Sequence, residues 1–100
     1  PRLPLRMDVR EGPIPETEAF IGFGPNPFKP KGGFLRKNLS KSGDLEEAAH
    51  HLFALLREVE DSGAESIAIS PIPETGIGIA INDRLRRAAA ASQLKASADE

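Results

Sequence analysis

The sequence predicts a small α/β fold, in which a short, mostly parallel sheet packs against two main helices. Three observations lead to this prediction. An apolar stripe at helical spacing runs through residues 44–61, a short segment that is apolar on both faces follows at 66–69, and a second helical pattern covers 77–90. Strands that alternate with helices through short connections are typical of α/β layer folds with right-handed crossovers.

The first part of the chain predicts three strands. Apolar and polar residues alternate between Leu3 and Met7, which indicates a short edge strand because a proline is tolerated near its start. Residues 18–24 are apolar on both faces and form a stronger candidate. A loop over 24–33 follows, since that stretch is too rich in Pro and Gly for regular structure, and residues 34–40 can form the third strand.

The first helix is the most clearly marked element. Asp44 is a suitable N-cap, Glu47 completes a capping box, and Ser62-Gly63 supplies the C-terminal glycine. One stripe of apolar residues is predicted to face the sheet: Leu45, Ala48, Ala49, Leu52, Leu55, Leu56 and Val59. The apolar strand at 66–69 is predicted to be central, because it would be covered on both faces, and Pro71 ends it.

The second helix is predicted to turn one side inward. Its inward positions are Ile77, Ile81, Leu85 and Ala88 or Ala89.

Length and composition indicate one small domain with loose ends. We expect residues 1–17 to be a linker remnant with an edge strand, 18–91 to be the packed α/β domain, and 92–100 to be a flexible tail. The chain has no cysteine, which excludes disulfides and thiolate metal sites and suits the cytoplasm. A net charge of −2 gives no argument for nucleic acid or a membrane surface, and no apolar run is long enough to span a bilayer.

The turn from Pro71 to Gly78 is the candidate ligand site. Its donors would be the backbone N–H groups of Thr75, Gly76, Ile77 and Gly78. A helix start attracts anions, and α/β sheets bind ligands at the carboxyl ends of their strands. However, the third glycine of a dinucleotide fingerprint and the Gly-Lys-Ser/Thr of a P-loop are missing, and Glu74 could supply the negative charge itself. A structural corner is the preferred interpretation, and an anion site is the alternative.

Polar and charged residues of the second helix and its approach are candidates for contact with a partner: Glu74, Asn82, Arg84 and Arg87. Asp83 and Arg87 are spaced for an i,i+4 ion pair, and the arginines also suit the helix dipole. We expect no metal site, because His50 and His51 are adjacent and diverge by about 100° on a helix. We expect no catalytic residue either, because no nucleophile–base arrangement is evident.

A basic stretch without acidic residues covers 29–41. Its charges are Lys29, Lys31, Arg36, Lys37 and Lys41. These side chains could contact a nucleotide phosphate or tRNA, but five charges are a modest footprint, so a solvated loop is the preferred interpretation.

Two blocks of sequence resemble a known family. The first is NLSxSGDLxEAAxxLFxxLR from Asn38 to Arg57, and the second is PxPETGxGxAINDRLxRAA from Pro71 to Ala89. In this order and spacing they resemble the C-terminal domain of two-domain L-threonylcarbamoyladenylate synthases. Residues 19–24 are similar to the early strand of that domain, and residues 1–6 are similar to the stretch that follows the family's interdomain linker.

The resemblance implies a Rossmann-like α/β/α layer domain that docks on the N-terminal catalytic domain of the same polypeptide and regulates or completes its site. It also implies a nucleotidyltransferase that converts ATP, L-threonine and bicarbonate to threonylcarbamoyl-AMP for tRNA modification. ATP and magnesium are expected on the catalytic domain, with no cofactor and no direct tRNA contact on this chain. There are two alternatives to this accessory role. One is an autonomous anion- or nucleotide-binding module at Thr75–Gly78, and the other is an oligomerisation module.

Overall fold

The structure, a computed structural model, describes residues 3–25 and 30–98 of the chain, with side chains up to residue 92. Strands and helices alternate in the second half of this part of the chain. The elements are β1 (Leu5–Arg6), β2 (Glu18–Gly22), β3 (Leu35–Asn38), α1 (Leu45–Asp61), β4 (Ser66–Ile69) and α2 (Ile77–Ala98).

The strands form one four-stranded sheet in the order β1-β4-β2-β3, and every pairing in it is parallel. Ala19 of β2 pairs with Ile67 of β4 on one side and with Leu35 of β3 on the other. The prediction that Ile67 and Ile69 lie in an interior strand is therefore confirmed. The predicted edge strand is also present, although β1 is only two residues long.

Both helices pack on the same face of the sheet. Their inward residues, among them Leu52, Leu56 and Leu85, form one core cluster with Ile67 and Ile69 of β4. The predicted small α/β fold with a parallel sheet and two main helices is confirmed. The opposite face carries a smaller cluster of Val9, Ile14, Phe20 and Ala68. An α/β/α layer domain would have a helix on each face of the sheet. In the described residues, the segment around 9–14 covers this second face in place of a helix.

The predicted caps of α1 are present, with one difference. The Asp44 carboxylate accepts hydrogen bonds from the backbone N–H groups of Glu46 and Glu47, at 2.9 and 3.3 Å. In a capping box, the Glu47 side chain would in turn accept a hydrogen bond from the Asp44 N–H. Here the Asp44 N–H donates to Ser40 Oγ instead, at 2.9 Å. At the other end, Ser62 is the C-cap, and Gly63 has the positive φ of 98° that favours glycine.

Helix α2 is longer than predicted, because it continues past Ala90 to Ala98. Ser92 is buried in this extension, and its Oγ donates to the carbonyl oxygen of Leu3 at 2.8 Å. The contact joins the two ends of the described chain.

The division of the chain into 1–17, 18–91 and 92–100 stays a prediction. Within the described residues, neither α1 nor α2 is long and apolar enough to cross a membrane.

Candidate functional site

The predicted turn before α2 uses its own backbone groups to start the helix. The Gly78 N–H donates to the carbonyl oxygen of Thr75 at 2.9 Å, and the Ile79 N–H donates to that of Gly76 at 3.2 Å. One of the four donors assigned to an anion, the N–H of Gly78, is therefore occupied within the turn. The anion site at Thr75, Gly76, Ile77 and Gly78 stays a prediction.

Close packing explains why glycine occupies position 78 in the turn and asparagine occupies position 82 in α2. A Cβ at position 78 would collide with the carbonyl oxygen of Pro73 and would lie 3.4 Å from Leu45 Cδ1. Asn82 is only 4% exposed, and its Nδ2 donates to the carbonyl oxygen of Ile72 at 2.8 Å. Asn82 was predicted to face a partner, but its burial assigns it instead to holding the turn against α2. These contacts support the interpretation of the turn as a structural corner.

The other partner-facing candidates, Glu74, Arg84 and Arg87, are exposed, and Glu74 and Arg87 form local ion pairs. Arg86 Nη2 lies 2.7 Å from Glu74 Oε1, so the Glu74 carboxylate pairs with an arginine of α2. Arg87 Nη2 lies 2.9 Å from Asp83 Oδ2, which confirms the predicted i,i+4 pair. Exposed pairs of this kind contribute little to stability.

An interhelical groove separates the outer surfaces of α1 and α2. The Arg84 guanidinium carbon lies 4.0 Å from the centroid of the Phe53 ring, in cation–π geometry. The groove encloses about 450 Å³ and is also lined by Leu56, Arg57, Glu60, Arg87 and Ala88. Sequence reasoning selected Arg84 and Arg87 but missed Phe53. The sequence did contain a signal for Phe53: it is a large apolar residue that lies beside the inward stripe of α1, where its side chain would stay partly exposed.

A second cavity, the strand-end cavity, lies at the carboxyl ends of β2 and β3. It encloses about 600 Å³ and is lined by Phe20, Gly22, Phe23, Gly24, Pro25, Pro30, Arg36, Lys37, Asn38 and Lys41. Three of the five predicted basic residues thus meet at one cavity. Lys37 Nζ also pairs with Glu58 Oε2 of α1 at 2.6 Å. Lys29 lies outside the described residues.

One ion pair on the second face of the sheet was not predicted. Arg6 Nη2 lies 2.8 Å from Oε1 of Glu18, whose side chain is buried. The hydrogen bond to Glu18 raises the pKa of Arg6, and desolvation opposes this effect. No spacing in the sequence indicated the pair, because it depends on β1 and β2 lying on either side of β4.

The histidines do not form a metal site with their neighbours. His51 Nδ1 lies 3.2 Å from the carbonyl oxygen of Leu39, one residue after β3. Among residues 3–25 and 30–98, no group of three or more His, Cys, Asp or Glu side chains could hold a metal ion.

Comparison with known proteins identifies the family. The model of the threonylcarbamoyl-AMP synthase C-terminal domain matches residues 10–90. Neither the curated proteins nor the solved structures include a significant match. Both sequence blocks that carried the resemblance lie within the matched residues, as do β2, β3, β4 and α1. The chain therefore belongs to the family of threonylcarbamoyl-AMP synthase C-terminal domains.

Proposed function

We propose that this chain is a non-catalytic accessory domain, which docks on the catalytic domain of a threonylcarbamoyl-AMP synthase and regulates or completes its active site. The synthase forms threonylcarbamoyl-AMP from ATP, L-threonine and bicarbonate for tRNA modification. Membership in a family of C-terminal domains supports the proposal, because such a domain acts beside another part of the same enzyme. ATP and magnesium then belong to the catalytic domain.

The contact between Arg84 and Phe53 is the observation that carries the docking proposal. Both side chains are exposed, Phe53 to 52%, although an aromatic ring and a guanidinium favour partial desolvation. Aromatic residues and arginine are enriched at protein–protein interfaces and at their energetic centres. A partner that covers this pair would strengthen the cation–π contact by excluding water from it.

An exposed isoleucine extends the same surface. Ile77 was predicted to face inward, but it is 42% exposed. It lies seven residues before Arg84, which places the two on the same side of α2 about two helical turns apart. We call Phe53, Ile77 and Arg84 the docking face. A face of this size would bind weakly between separate molecules. A covalent linker makes weak contacts sufficient, because it raises the effective concentration of the partner.

Variants of the docking face in the full two-domain synthase test the proposal. We expect Phe53→Ala and Arg84→Ala each to lower the rate of threonylcarbamoyl-AMP formation by about tenfold, as the loss of a central interface residue does. Arg86→Ala is the matched control, because Arg86 is an arginine of α2 that pairs with Glu74 and does not contact Phe53. Melting temperatures of all three variants would show that the fold is intact.

Two results would count against the docking face. Rates that stay unchanged in both docking variants would show that this surface does not contact the catalytic domain. An equal loss of rate in Arg86→Ala would show that the rate depends on the total positive charge of α2 and not on the contact between Arg84 and Phe53.

A further inference from the structure

The interhelical groove has an apolar floor. Leu56 of α1 and Ala88 of α2 line it, and both are buried members of the core cluster. Phe53, which is half exposed, also lines the groove. The volume of about 450 Å³ is within the range of about 300–1,000 Å³ that is usual for ligand pockets. An apolar side chain that entered the groove would therefore be removed from water against this floor.

The rim of the groove is positively charged. Arg57, Arg84 and Arg87 line it, and Glu60 is the one acidic residue among the described lining residues. This excess of positive charge contrasts with the net charge of −2 of the whole chain. Arg57 and Arg84 have no ion-pair partner in the described part of the chain. The pair of Arg87 with Asp83 is exposed and therefore weak, so all three guanidinium groups remain accessible to an anion.

Helical spacing directs these groups to the groove from both sides. Phe53 and Arg57 are four residues apart on α1 and therefore share one side of that helix. Arg84 and Arg87 are three residues apart and share one side of α2. All the cations that line the groove are arginines, and guanidinium groups bind carboxylates through two parallel hydrogen bonds. The arrangement therefore fits carboxylate groups.

A protein segment fits the groove better than a nucleic acid does. Binding of nucleic acid relies on the neutralisation of many phosphates, and three arginines in a chain of net charge −2 are a small footprint. A protein segment also supplies an apolar side chain for the floor beside its carboxylates. Phe53 and Arg84 belong both to the groove and to the docking face, so the groove continues the surface that is proposed to face the catalytic domain.

We propose that the interhelical groove receives an acidic segment of the catalytic domain, in which carboxylates accompany an apolar side chain. The apolar side chain packs on Leu56 and Ala88, and the carboxylates bind Arg57 and Arg84. Coverage of the groove excludes water, which strengthens both the ion pairs and the cation–π contact. The inference rests on the proposed docking role and adds to it the chemical class of the partner segment.

Zero-length cross-linking in the full two-domain synthase tests the groove directly. A carbodiimide joins a lysine amine to a carboxylate only where the two are in contact, and it leaves arginine unchanged. Arg57→Lys, at an exposed position, keeps the positive charge and introduces a reactive amine into the groove. We expect mass spectrometry of the digested variant to find a new amide link between position 57 and an Asp or Glu of the catalytic domain. The wild type should lack this link.

Two ion pairs of the chain control for the chemistry. Lys37 and Glu58 lie 2.6 Å apart and should cross-link in every sample. Arg86→Lys should link to Glu74 and not to the catalytic domain, because Arg86 pairs with Glu74 and does not line the groove. When both control links form, the absence of a link from position 57 to the catalytic domain, or a link to Glu60 alone, would overturn the proposal.

Reversal of the charge at Arg57 separates this inference from the docking role itself. Arg57→Glu should lower the rate of threonylcarbamoyl-AMP formation by about tenfold, because like charges would then meet in the groove. Arg10→Glu makes the same change of charge beside Val9 of the second-face cluster, and it should leave the rate unchanged. A loss of rate in Phe53→Ala but not in Arg57→Glu would keep the docking role and overturn the acidic partner. Unchanged rates in both variants would refute the docking role as well.

Binding of a tRNA transcript to the full synthase, measured by gel shift, tests for a nucleic acid partner. We expect Arg57→Glu to bind the transcript as the wild type does. Loss of the shift in Arg57→Glu, with no link between position 57 and the catalytic domain, would overturn the proposal in favour of nucleic acid.

Discussion

The guanidinium of Arg6 donates three hydrogen bonds to the carboxylate of Glu18, from Nε at 3.2 and 3.1 Å and from Nη2 at 2.8 Å. The pair spans β4, because β1 and β2 are its two neighbours in the sheet. It lies on the face opposite the helices, where the hydrophobic cluster is small. On this face of the sheet, the pair therefore joins the side chains of β1 and β2 across β4.

Removal of Arg6 tests this contact. Arg6→Met leaves the buried Glu18 carboxylate without its partner, and we expect the free energy of unfolding to fall by about 1–2 kcal/mol, discounted because Arg6 is half exposed. Arg10→Met, at an exposed arginine nearby, should change it by less than about 0.5 kcal/mol. Urea unfolding of both variants measures the difference, and equal effects would show that the pair contributes nothing specific.

The same pair predicts how the contribution of Arg6 depends on pH. Because the pKa of Arg6 is raised in the folded chain, its contribution is fully present below the ordinary arginine value and is lost only as pH rises through the raised value. The stability difference between the wild type and Arg6→Met should therefore be the same at pH 7 and pH 9. A difference that shrinks over this interval would mean that another group controls the contact.

Truncation of Leu52 tests the core beneath α1. Leu52 is buried in the cluster that joins both helices to β4, so Leu52→Ala should lower the free energy of unfolding by about 2–5 kcal/mol. The neighbouring residue gives the control, since Phe53→Ala removes a larger side chain that is half exposed and should cost less than Leu52→Ala. A loss below about 0.5 kcal/mol for Leu52→Ala would show that the apolar stripe is not buried.

Two glycines of the turn before α2 should respond differently to alanine. Gly78→Ala places a Cβ against the carbonyl oxygen of Pro73, so the start of α2 must move. Gly76 has a φ of 53° with no atom near its missing Cβ, so Gly76→Ala should cost only the backbone strain of about 1–2 kcal/mol. We expect the larger fall in melting temperature for Gly78→Ala. The reverse order would refute the close-packing account of the corner.

The sequence predicted those elements whose signals are local. The apolar stripe of α1 and the N-cap at Asp44 are periodic or short-range patterns, and the structure has both. The end of α2 was predicted too early, because the sequence after Ala90 consists mainly of small and polar residues without an apolar stripe. Ser92 in this extension contacts Leu3 at the other end of the described chain. Helix propensity alone could not reveal that contact.

The candidate sites were harder to predict, because they depend on which strands become neighbours. Gly22 and Asn38 both line the strand-end cavity, and only the pairing of β2 with β3 places them together. Phe53 and Arg84 meet because both helices lie on one face of the sheet. Asn82 was predicted to be a surface residue of α2, but its side chain is buried and donates a hydrogen bond to the carbonyl oxygen of Ile72.

A comparison of three preparations tests the accessory role most directly: the full two-domain synthase, its catalytic domain alone, and this chain alone or added in trans. Formation of threonylcarbamoyl-AMP from ATP, L-threonine and bicarbonate is the measurement. The account predicts no product from this chain alone, reduced product from the catalytic domain, and the highest rate when the two are covalently linked. Threonine-dependent release of pyrophosphate by this chain alone would contradict the account.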